Sequence, residues 1–541
     1  MFMYKRLLLI LAALIGGQAN NASAQLIPMA DIEPAFAQDN PGPMSEVNGS
    51  LMIQLTNGFG RDIWSVTGGE DPELLISRSE HDRSFKPSNL FYLADTLYFS
   101  AITTSLGREL WRRTPDGSVE LVADVFEGEF SGFDRLLAVI DGEAYFDGTD
   151  STSLDEVWRF SPASGVERVV DLWPGEQGSN PGASAVLNGD LYVMATTETS
   201  GTELWRIQRD GTATLTHDVS PGTQNTWVEQ ILSWDDALYY VTSNTGEGEE
   251  LWSYSPGSGP NRITRFAVHN AFPTTELVVW NDALYFGAFD TDSVLGLWRY
   301  SPSEGLVLVG DETSSSPDLL PTKLAASESG IYFTSMGFTE GFLKFYDGDN
   351  IRILAPIALA FGYEEAVLAT VGDVAYYATH TESEGVELWR ASPQSGAELV
   401  GETVEGEAGS FPRELTPYGD DLYFTARTDP NRPSPRTLWK LESARSTFES
   451  PNPANSEGEI RVGPNPARDA VYFTIPPEQQ STATIDIYDV TGRRVLEHAV
   501  ALSTSDTQVS VATGHLPSGT YLYTIHSRGL RLSGGTLVVV R

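Results

Sequence analysis

Cysteine is absent from this sequence, and lysine is nearly so. Without thiols, no disulfide can stabilise the fold and no thiolate can bind a metal ion. The lysines are Lys5, Lys86, Lys323, Lys344 and Lys440. With 34 basic residues against 74 acidic ones, the formal net charge is −40. This balance argues against nucleic acid and against an anionic membrane as partners, because both require a basic surface.

The acidic composition leaves two interpretations open. A hydrated, lysine-poor surface suits a high-salt environment, where counterions screen the repulsion between like charges. An ordinary acidic secreted protein would have the same composition. Stability that rises between low and molar salt would favour the first interpretation, and a flat or falling melting temperature would favour the second.

Long apolar runs are also missing, apart from one near the N-terminus. Lys5 and Arg6 precede the run Leu7–Ile15, and the small residues Ala22-Ser23-Ala24 follow it. These are the parts of a secretory signal, and the run is too short to cross about 30 Å of hydrocarbon. We predict that residues 1–24 are a signal peptide, that the mature chain starts at Gln25, and that no segment inserts into a membrane.

The chain has a repeat instead. The segment Gly201–Arg206, GTELWR, returns in variants along the sequence, and its tryptophan recurs at intervals of 44 to 50 residues. The aromatic positions are Trp64, Trp111, Trp158, Trp205, Trp252, Trp298, Phe345, Trp389 and Trp439. A repeat of about 47 residues is typical of β-propeller blades and related arrays.

In seven units a tyrosine lies 13 residues before this aromatic position. These residues are Tyr98, Tyr145, Tyr192, Tyr239, Tyr285, Tyr332 and Tyr376. Each lies in a short alternating apolar run next to a turn of Asp, Asn or Gly, which indicates a β-hairpin. Four such runs per unit and no helical pattern predict an all-β fold. We expect a single β-propeller of about eight to nine four-stranded blades over residues 25–442.

The repeated Trp and Tyr side chains are interpreted as core, because each blade needs a large flat side chain against its neighbours. Trp234 and Trp280 occupy positions that are apolar in the other units, so we predict that they also belong to the core. Trp173 and Trp227 fall outside the repeated positions. They are the candidates for exposed aromatic side chains.

The N-terminal segment is predicted to complete the last blade. An aspartate follows the repeat tryptophan by 13 residues in the fourth strand, at Asp124, Asp171, Asp218 and Asp311. The last unit lacks this strand, but Met29–Ile32 has Asp31 in the matching place. Pairing there would cover both open edges of the array. Phe345 marks the most divergent unit, which is the first candidate for a decoration outside the ring.

A different pattern begins after residue 442. Residues 443–458 are rich in Ser, Pro, Asn and Glu, which predicts a linker. Residues 459–541 hold six or seven short apolar runs, which predict a small Ig-like β-sandwich. Three ordered motifs lie in this segment, Gly463–Ala467 (GPNPA), Ile487–Arg493 (IYDVTGR) and Leu516–Tyr521 (LPSGTY).

With these motifs, residues 459–541 resemble the type A sorting domain of the type IX secretion system of the Bacteroidetes group. The resemblance implies that the secretion machinery is a partner of this segment. It also implies export across the outer membrane, then removal of the domain with attachment to the surface or release. The repeats resemble the ELWxxDGT repeat proteins, most nearly at Arg209–Thr212 (RDGT). That resemblance implies a β-propeller and no settled activity.

Motifs of familiar catalysts, such as GxSxG, HExxH or a phosphate loop, do not occur. His81, His217, His269 and His380 lack metal or catalytic spacing, so we interpret them as buried or surface histidines with ordinary hydrogen bonds. Carboxylates cluster before the ELW strands at Asp147, Asp150, Asp155, Glu247, Glu249, Glu250, Asp290, Asp292, Glu382 and Glu384.

The acidic loops could serve two kinds of chemistry. Two carboxylates about 5 to 10 Å apart could act in a glycosidase, and residues 147–156 (DGTDSTSLDE) offer several oxygens to calcium. An acidic, solvated rim is the interpretation we adopt, because carboxylates are abundant throughout this chain. No catalytic, cofactor-binding or metal-binding residue is therefore assigned, and no cofactor is expected.

These patterns lead to one functional hypothesis and one alternative. The hypothesis is a non-enzymatic, monomeric propeller, secreted or displayed at the outer cell surface, that binds an extracellular glycan or protein. The alternative is an extracellular polysaccharide hydrolase or lyase on the same scaffold. Even repeat lengths favour the first, because propeller enzymes usually carry long loop insertions on one face.

Overall fold

Nearly every ordered element of this protein is a β-strand. The computed structural model describes residues 25–29, 40–56, 59–80, 84–175, 177–244, 248–266, 276–289, 295–309, 321–336, 341–358, 367–381, 383–404, 406–429, 436–442, 444, 461–463, 470–475, 482–489, 494–502, 507–517, 519–527 and 530–539. A single 3-10 turn, Arg78–Glu80, interrupts the strands in these ranges. None of the helices in the described part has the length and apolar character needed to cross a membrane. The predicted signal peptide and linker lie outside the described residues.

Nine four-stranded antiparallel sheets follow one another along residues 25–442. Sheet 1 contains β2 (Asn40–Val47), β3 (Ser50–Thr56), β4 (Arg61–Thr67) and β5 (Glu73–Ile76). Sheet 2 contains β6 (Lys86–Leu93), β7 (Thr96–Thr103), β8 (Gly107–Arg113) and β9 (Val119–Ala123). Sheet 3 contains β10 (Phe133–Ile140), β11 (Glu143–Gly148), β12 (Glu156–Ser161) and β13 (Gly165–Val170). Sheet 4 contains β14 (Ser184–Leu187), β15 (Asp190–Thr197), β16 (Gly201–Ile207) and β17 (Ala213–His217).

The next four sheets have the same order. Sheet 5 contains β18 (Trp227–Trp234), β19 (Ala237–Asn244), β20 (Gly248–Ser255) and β21 (Gly259–Arg265). Sheet 6 contains β22 (Val278–Trp280), β23 (Ala283–Phe289), β24 (Leu295–Ser301) and β25 (Gly305–Leu308). Sheet 7 contains β26 (Pro321–Ala326), β27 (Ile331–Met336), β28 (Gly341–Tyr346) and β29 (Ile351–Ile357). Sheet 8 contains β30 (Leu368–Val371), β31 (Val374–Thr381), β32 (Gly385–Ser392) and β33 (Gly396–Gly401).

Sheet 9 differs in the origin of its fourth strand. It contains β34 (Arg413–Tyr418), β35 (Asp421–Arg427), β36 (Arg436–Glu442) and the N-terminal strand β1 (Gln25–Pro28). Pro28 pairs with Trp439, and the amide of Met29 donates to the carbonyl of Leu438 at 3.0 Å. The predicted completion of the last unit by the N-terminal strand is confirmed, while Asp31 itself lies outside the described residues.

Tight turns join the first two strands of each unit. Asn188-Gly189 between β14 and β15 has φ angles of 53° and 82°, and Asp141-Gly142 repeats the pattern with 50° and 81°. Two successive positive φ angles match the right-handed twist of the flanking strands, and Asn, Asp and Gly adopt them at little cost. The Asx-Gly signals in the sequence therefore mark real hairpins.

Each sheet packs against the next through an apolar cluster. The cluster between sheets 2 and 3 joins Phe91 and Tyr98 to Phe133 and Phe146. Comparable clusters join every other successive pair from sheet 1 to sheet 9, and a further one joins Leu438 of sheet 9 to the core strands of sheet 1. The first strands of sheets 1 to 5 contact one another in order, as do those of sheets 6 to 9, and β34 contacts β2. Both faces of every sheet are therefore covered.

The repeated aromatic side chains form this core, as the sequence predicts. All seven repeat tyrosines are buried, and Trp234 and Trp280 lie partly buried against Tyr239 and Tyr285. The interpretation of the Phe345 unit as a decoration is wrong. Phe345 is 2% exposed and packs on Tyr332 within a regular four-stranded sheet. A phenylalanine fills the tryptophan position because only the apolar ring is needed there.

The C-terminal segment forms two further antiparallel sheets. One contains β37 (Arg461–Gly463), β38 (Ala470–Ile475) and β41 (Thr507–Ala512). The other contains β40 (Arg494–Ala501), β39 (Thr482–Asp489), β42 (Gly519–Ser527) and β43 (Leu530–Val539). Phe473 of the first sheet packs on Tyr523 of the second, and all the members of their shared core come from this segment. The segment therefore has a hydrophobic core of its own.

Candidate functional site

One end of the nine sheets carries the longer connections. Loops between the second and third strands, and those from a fourth strand to the next sheet, lie at the same end because the strands alternate in direction. We call this end the loop face. The opposite end carries the short turns between the first and second strands and between the third and fourth. Ligand-binding residues are more often found on longer loops than on tight turns.

A buried glutamate anchors the loop face in several units. It lies two residues before the repeat tryptophan, at Glu109, Glu156, Glu203 and Glu387. Glu109 accepts hydrogen bonds from the amides of Val125 at 2.6 Å and Gly132 at 2.7 Å. Glu156, Glu203 and Glu387 accept equivalent bonds from the loops that lead out of their sheets. The ELW glutamate therefore ties the third strand to the connection between two sheets.

The glycine of the motif makes this contact possible. Gly107 and Gly201 open their strands with φ angles of 67° and 64°. A Cβ atom on either would lie 2.0 Å from the carbonyl oxygen of the same connection, at Phe130 or Gln224. Only glycine combines a positive φ with such a close approach. The GTELWR segment thus forms a core strand and also holds the connection that leads to the next sheet.

Replacing this anchor is expected to destabilise the protein strongly. Glu109→Ala removes the acceptor of the Val125 amide, at a cost of about 1–3 kcal/mol, whereas the amide of Gly132 keeps the carbonyl of Arg108 as a second acceptor at 3.0 Å. Thermal or denaturant unfolding should show a loss of about 1–3 kcal/mol. Glu120→Ala is the matched control in the same sheet, because its exposed ion pair with Arg112 contributes less than about 1 kcal/mol. Equal effects of the two substitutions would contradict the anchoring role.

Burial shifts the ionisation of these anchors. It raises the pKa of Glu109 to about 8, although the amides of Val125 and Gly132 favour the charged form. It raises the pKa of Glu203 and of Glu387 to about 7 in the same way. The carboxyls are engaged with backbone amides inside the protein, so their shifted pKa values reflect a structural role and not exposure to substrate.

Asp147 is a buried carboxyl that has no hydrogen-bond partner among the described residues. It lies on β11, is 1% exposed, and its Oδ1 has no hydrogen bond. Burial, and then the charges of Asp155 and Asp134, raise the pKa of Asp147 to about 8. The corresponding residue of β19 in sheet 5 is Val241. Because the carboxyl is enclosed, it cannot reach a polymer outside the protein.

Asp147→Val is expected to stabilise the protein, because it removes an unpaired buried carboxyl. The folded pKa of about 8 lies above the value of about 3.9 in the unfolded chain. The wild-type protein therefore loses stability as the pH rises through this interval, whereas the valine variant lacks this loss. The gain in melting temperature should grow from pH 5 to pH 9. Glu120→Val, on an exposed strand, should show no such growth, and a pH-independent difference for Asp147→Val would contradict the interpretation.

The acidic loops only partly form the solvated rim that the sequence suggested. That interpretation is wrong for Asp147 and for Glu250, which is buried and paired with Arg262 at 2.9 Å and Arg265 at 2.7 Å. Strand alternation turns both side chains between sheets. Glu249 and Glu384 are half-buried. The remaining predicted members, Glu247, Asp290, Asp292 and Glu382, lie outside the described residues.

Within the calcium candidate 147–156, the carboxylates bind their own loop. Asp150 Oδ1 accepts from the amides of Thr152 and Ser153, at 2.7 and 2.8 Å. Asp155 accepts from Thr149, and Glu156 is the anchor described above. Across the described ranges, no three His, Cys, Asp or Glu side chains converge as metal ligands.

His217 has the ordinary buried role proposed for the histidines. Its Nδ1 lies 2.6 Å from the hydroxyl of Tyr240, and its ring packs on Trp252. Burial lowers the pKa of His217 to about 4, so the ring is neutral at physiological pH. His380 lies on β31, far along the chain from His217, and His81 and His269 lie outside the described residues.

Exposed aromatic side chains of the nine sheets lie on the loop face. Trp227, at the start of β18, is 65% exposed, which confirms one of the two tryptophan predictions. Trp173 is half-buried, and its amide donates to Glu156. Phe59 is 68% exposed between β3 and β4, and Phe130 is 63% exposed and stacked on Phe126. Each of these exposed rings offers a large apolar contact surface to a ligand.

One position at the loop face, not recognised from the sequence, carries arginine in three neighbouring sheets. It lies three residues before the repeat aromatic residue, where the third strand begins. From sheet 9 through sheet 8 it is occupied by Arg436, Arg61, Arg108, Asp155, Thr202, Glu249, Leu295, Phe342 and Val386. Three consecutive sheets therefore carry arginine, the next three are polar or acidic, and the last three are apolar. Aligning the units on their tryptophan would reveal these arginines. That they lie in three consecutive sheets becomes apparent only when sheet 9 is known to pack against sheet 1.

Comparison with known families identifies the C-terminal domain. Residues 461–538 match the family described as secretion system C-terminal sorting domain. The match lies within the two-sheet segment and within the predicted 459–541. This domain directs export by the type IX secretion system, so the protein reaches the cell surface or is secreted. No curated protein sequence matches the chain.

Solved structures with some similarity belong to several classes. A puromycin hydrolase is 15% identical with a TM-score of 0.32, over 63% of this chain and 58% of its own. A prolyl endopeptidase is 10% identical with a TM-score of 0.39, over 72% of this chain and 55% of its own. PorZ, a surface component of the type IX secretion system of Porphyromonas gingivalis, is 13% identical with a TM-score of 0.29, over 92% and 75%. The chain thus spans little more than half of either hydrolase, and no activity follows from similarities this low.

Proposed function

We propose that the protein is a non-enzymatic binding protein, built on a closed nine-bladed β-propeller and delivered by its sorting domain. The nine sheets would be the blades, with β1 closing the ring in sheet 9. Support comes from the apolar clusters between all successive sheets, including the one that joins sheet 9 to sheet 1. Nine blades exceed the common range of about four to eight. The C-terminal domain would be an Ig-like sandwich, since its two sheets share one core.

The observation that carries the binding function is the exposed aromatic set of the loop face. Phe59, Phe130 and Trp227 remain exposed at the same end of the array, although the protein buries aromatic rings in each of sheets 2 to 9. Such side chains offer a large contact area at a low entropic cost. We propose that an extracellular glycan or protein binds to this face, and that the protein acts as a monomer.

The hydrolase or lyase alternative has one feature in its favour, the buried Asp147, whose pKa burial and the charge of nearby Asp155 raise. A general acid with a raised pKa next to an ionised carboxylate is the arrangement of a glycosidase. Enclosure of Asp147 speaks against it, because a catalytic acid must reach the glycosidic oxygen. The binding function is therefore the one we propose.

The two functions are separated by measuring binding and turnover together. The mature chain from Gln25 would be applied to a glycan array, and its positive ligands would be tested for release of reducing ends. Saturable binding without product is the expected result. Trp227→Ala should weaken binding, whereas Tyr472→Ala removes an exposed aromatic ring from the C-terminal domain and should leave it unchanged. Turnover of any polymer would overturn the proposed function.

A further inference from the structure

Arginines meet at the junction of sheets 1 and 2 on the loop face. Arg61 of β4 donates from Nη1 to the carbonyl of Pro87 at 3.0 Å, crossing from its own sheet to β6. Arg108 of β8 donates from Nη1 to the hydroxyl of the next residue, Ser88, at 2.5 Å. Both guanidinium groups therefore converge on two consecutive residues of the first strand of sheet 2.

This arrangement brings like charges together in a very acidic protein. None of the ion pairs found among the described residues includes Arg61 or Arg108. Arginines four residues further along the third strands do pair, for example Arg112 with Glu120 and Arg390 with Glu398. Burial, and then the nearby positive charge of Arg108, lower the pKa of Arg61. An anion placed between them would relieve this repulsion.

Sheet 9 extends the basic region on the other side of sheet 1. Arg427, at the end of β35, lies over the ring of Phe411 at 4.0 Å, and its Nε is buried without a hydrogen bond. Arg436 donates to the carbonyl of the same Phe411. Burial, and then the charge of Arg413, lower the pKa of Arg427. Arginines of three consecutive sheets thus lie along one third of the loop face.

Aromatic side chains accompany these arginines. Exposed Phe59 lies two residues before Arg61. The connection that holds exposed Phe130 contacts the start of β8, where the hydroxyl of Ser131 accepts from the amide of Arg108. A ligand that bridges the two sheets therefore meets apolar faces beside guanidinium groups. Sugar rings that carry acid groups have this combination of an apolar face and a fixed anion.

We infer that the loop face binds an acidic glycan, with its carboxylate or sulfate groups held by Arg61 and Arg108 at the junction of sheets 1 and 2. This inference rests on the proposed binding function and specifies its ligand. The net charge of −40 opposes a long polyanion such as nucleic acid. Asp155 in sheet 3 and Glu249 in sheet 5 occupy the position held by arginine in sheets 1 and 2, so they confine the acid groups to the basic third.

The test measures binding of the full mature chain to three short oligosaccharide probes: alginate, which carries carboxylates, dextran sulfate, and neutral dextran as the uncharged control. We expect saturable binding of an acidic probe that weakens as salt is added, and no binding of neutral dextran. The double variant Arg61→Gln/Arg108→Gln should raise Kd by about tenfold or more, since it removes charge-assisted hydrogen bonds. Alginate and dextran sulfate separate carboxylate from sulfate recognition.

The matched control is Arg112→Gln/Arg390→Gln, which removes the same charge from third-strand ion pairs of sheets 2 and 8, whose acidic partners Glu120 and Glu398 are exposed. It should leave Kd unchanged within about twofold, and melting curves of both double variants would establish that they are folded. Asp155→Asn should tighten binding of the acidic probe, because it removes a negative charge beside the basic third. A misfolded variant would bind more weakly, so tighter binding cannot result from misfolding. Equal effects of the two double variants would overturn the inference.

The outcomes also separate this inference from the proposed function. Binding of neutral glycans alone would overturn the acidic ligand and leave the binding function intact. Release of reducing ends from any probe would overturn the proposed function itself. If none of the probes binds to the intact chain, the assignment of an acidic glycan is wrong.

Discussion

A protein that lacks residues 25–33 is expected to melt well below the intact protein and to aggregate. The deletion removes β1, whose residues pair with β36 from Gln25 to Pro28. It also removes Met29 from the core between sheets 9 and 1, and Leu26, whose Cδ1 packs close to Gly401 of sheet 8. Burial of each of these side chains contributes about 2 kcal/mol, and each lost edge hydrogen bond about 1 kcal/mol. The expected loss is therefore about 5 kcal/mol or more.

Exposure of β36 explains the expected aggregation. Its outer edge would present unpaired amides and carbonyls to other molecules, which is a template for strand addition. Melting curves and size-exclusion chromatography of the shortened protein would measure both effects.

Rescue by the missing segment is the control for this deletion. A synthetic peptide of residues 25–33, added to the shortened protein, should restore the melting temperature by pairing with β36. A peptide of the same composition in scrambled order should not. Unchanged melting and monomeric elution without the peptide would show that β1 does not close the array.

Loss of export is the second large effect we expect. A chain that ends near Ser450 retains the predicted signal peptide but lacks the sorting domain matched at residues 461–538. In a host with type IX secretion it should remain inside the outer membrane, whereas the full chain reaches the surface or the medium. Fractionation followed by immunodetection measures the distribution of both proteins.

Folding of the sorting domain can be tested in the same experiment. Ile485→Asp places a charge in the core shared by its two sheets and should block export as the truncation does. Tyr472→Ala changes an exposed side chain on the same domain and is the matched control. If the truncated chain is exported normally, the sorting domain is dispensable for export of this protein.

Removal of the domain after export is a further prediction from the resemblance. Mass spectrometry of the extracellular product should find a C-terminus upstream of residue 459. The core of the domain is drawn from its own residues, which is compatible with its removal without damage to sheets 1 to 9. A surface form that still ends at Arg541 would contradict this processing step.

Local contacts explain why so much of the fold is predictable. The 47-residue spacing, the buried tyrosines and the Asx-Gly turns each report on strands that pair with their neighbours in sequence. Even the match of Met29–Ile32 to the other fourth strands predicts the correct partner for β1. The sorting domain is likewise visible, since its motifs are contiguous in the chain.

Other predictions failed where burial depends on a distant segment. Asp147 and Glu250 look like loop carboxylates, but their strands turn them between sheets. The Phe345 unit looks divergent, yet its phenylalanine fills the same space as tryptophan. Sequence alone does not distinguish an acid on a rim from one that anchors an amide, because the acceptor role of Glu109 depends on the path of the loop that returns 16 to 23 residues later.

By itself, the sequence determined the repeat, the all-β class, the strand that completes the last sheet and the sorting domain, because each rests on order along the chain. The tertiary structure alone decided which charges meet. Arg436 and Arg61 are far apart in sequence, and they lie on adjacent sheets only because sheet 9 packs against sheet 1. The basic third of the loop face exists only in that arrangement, since strand periodicity specifies the end at which a residue lies but not the neighbouring sheet.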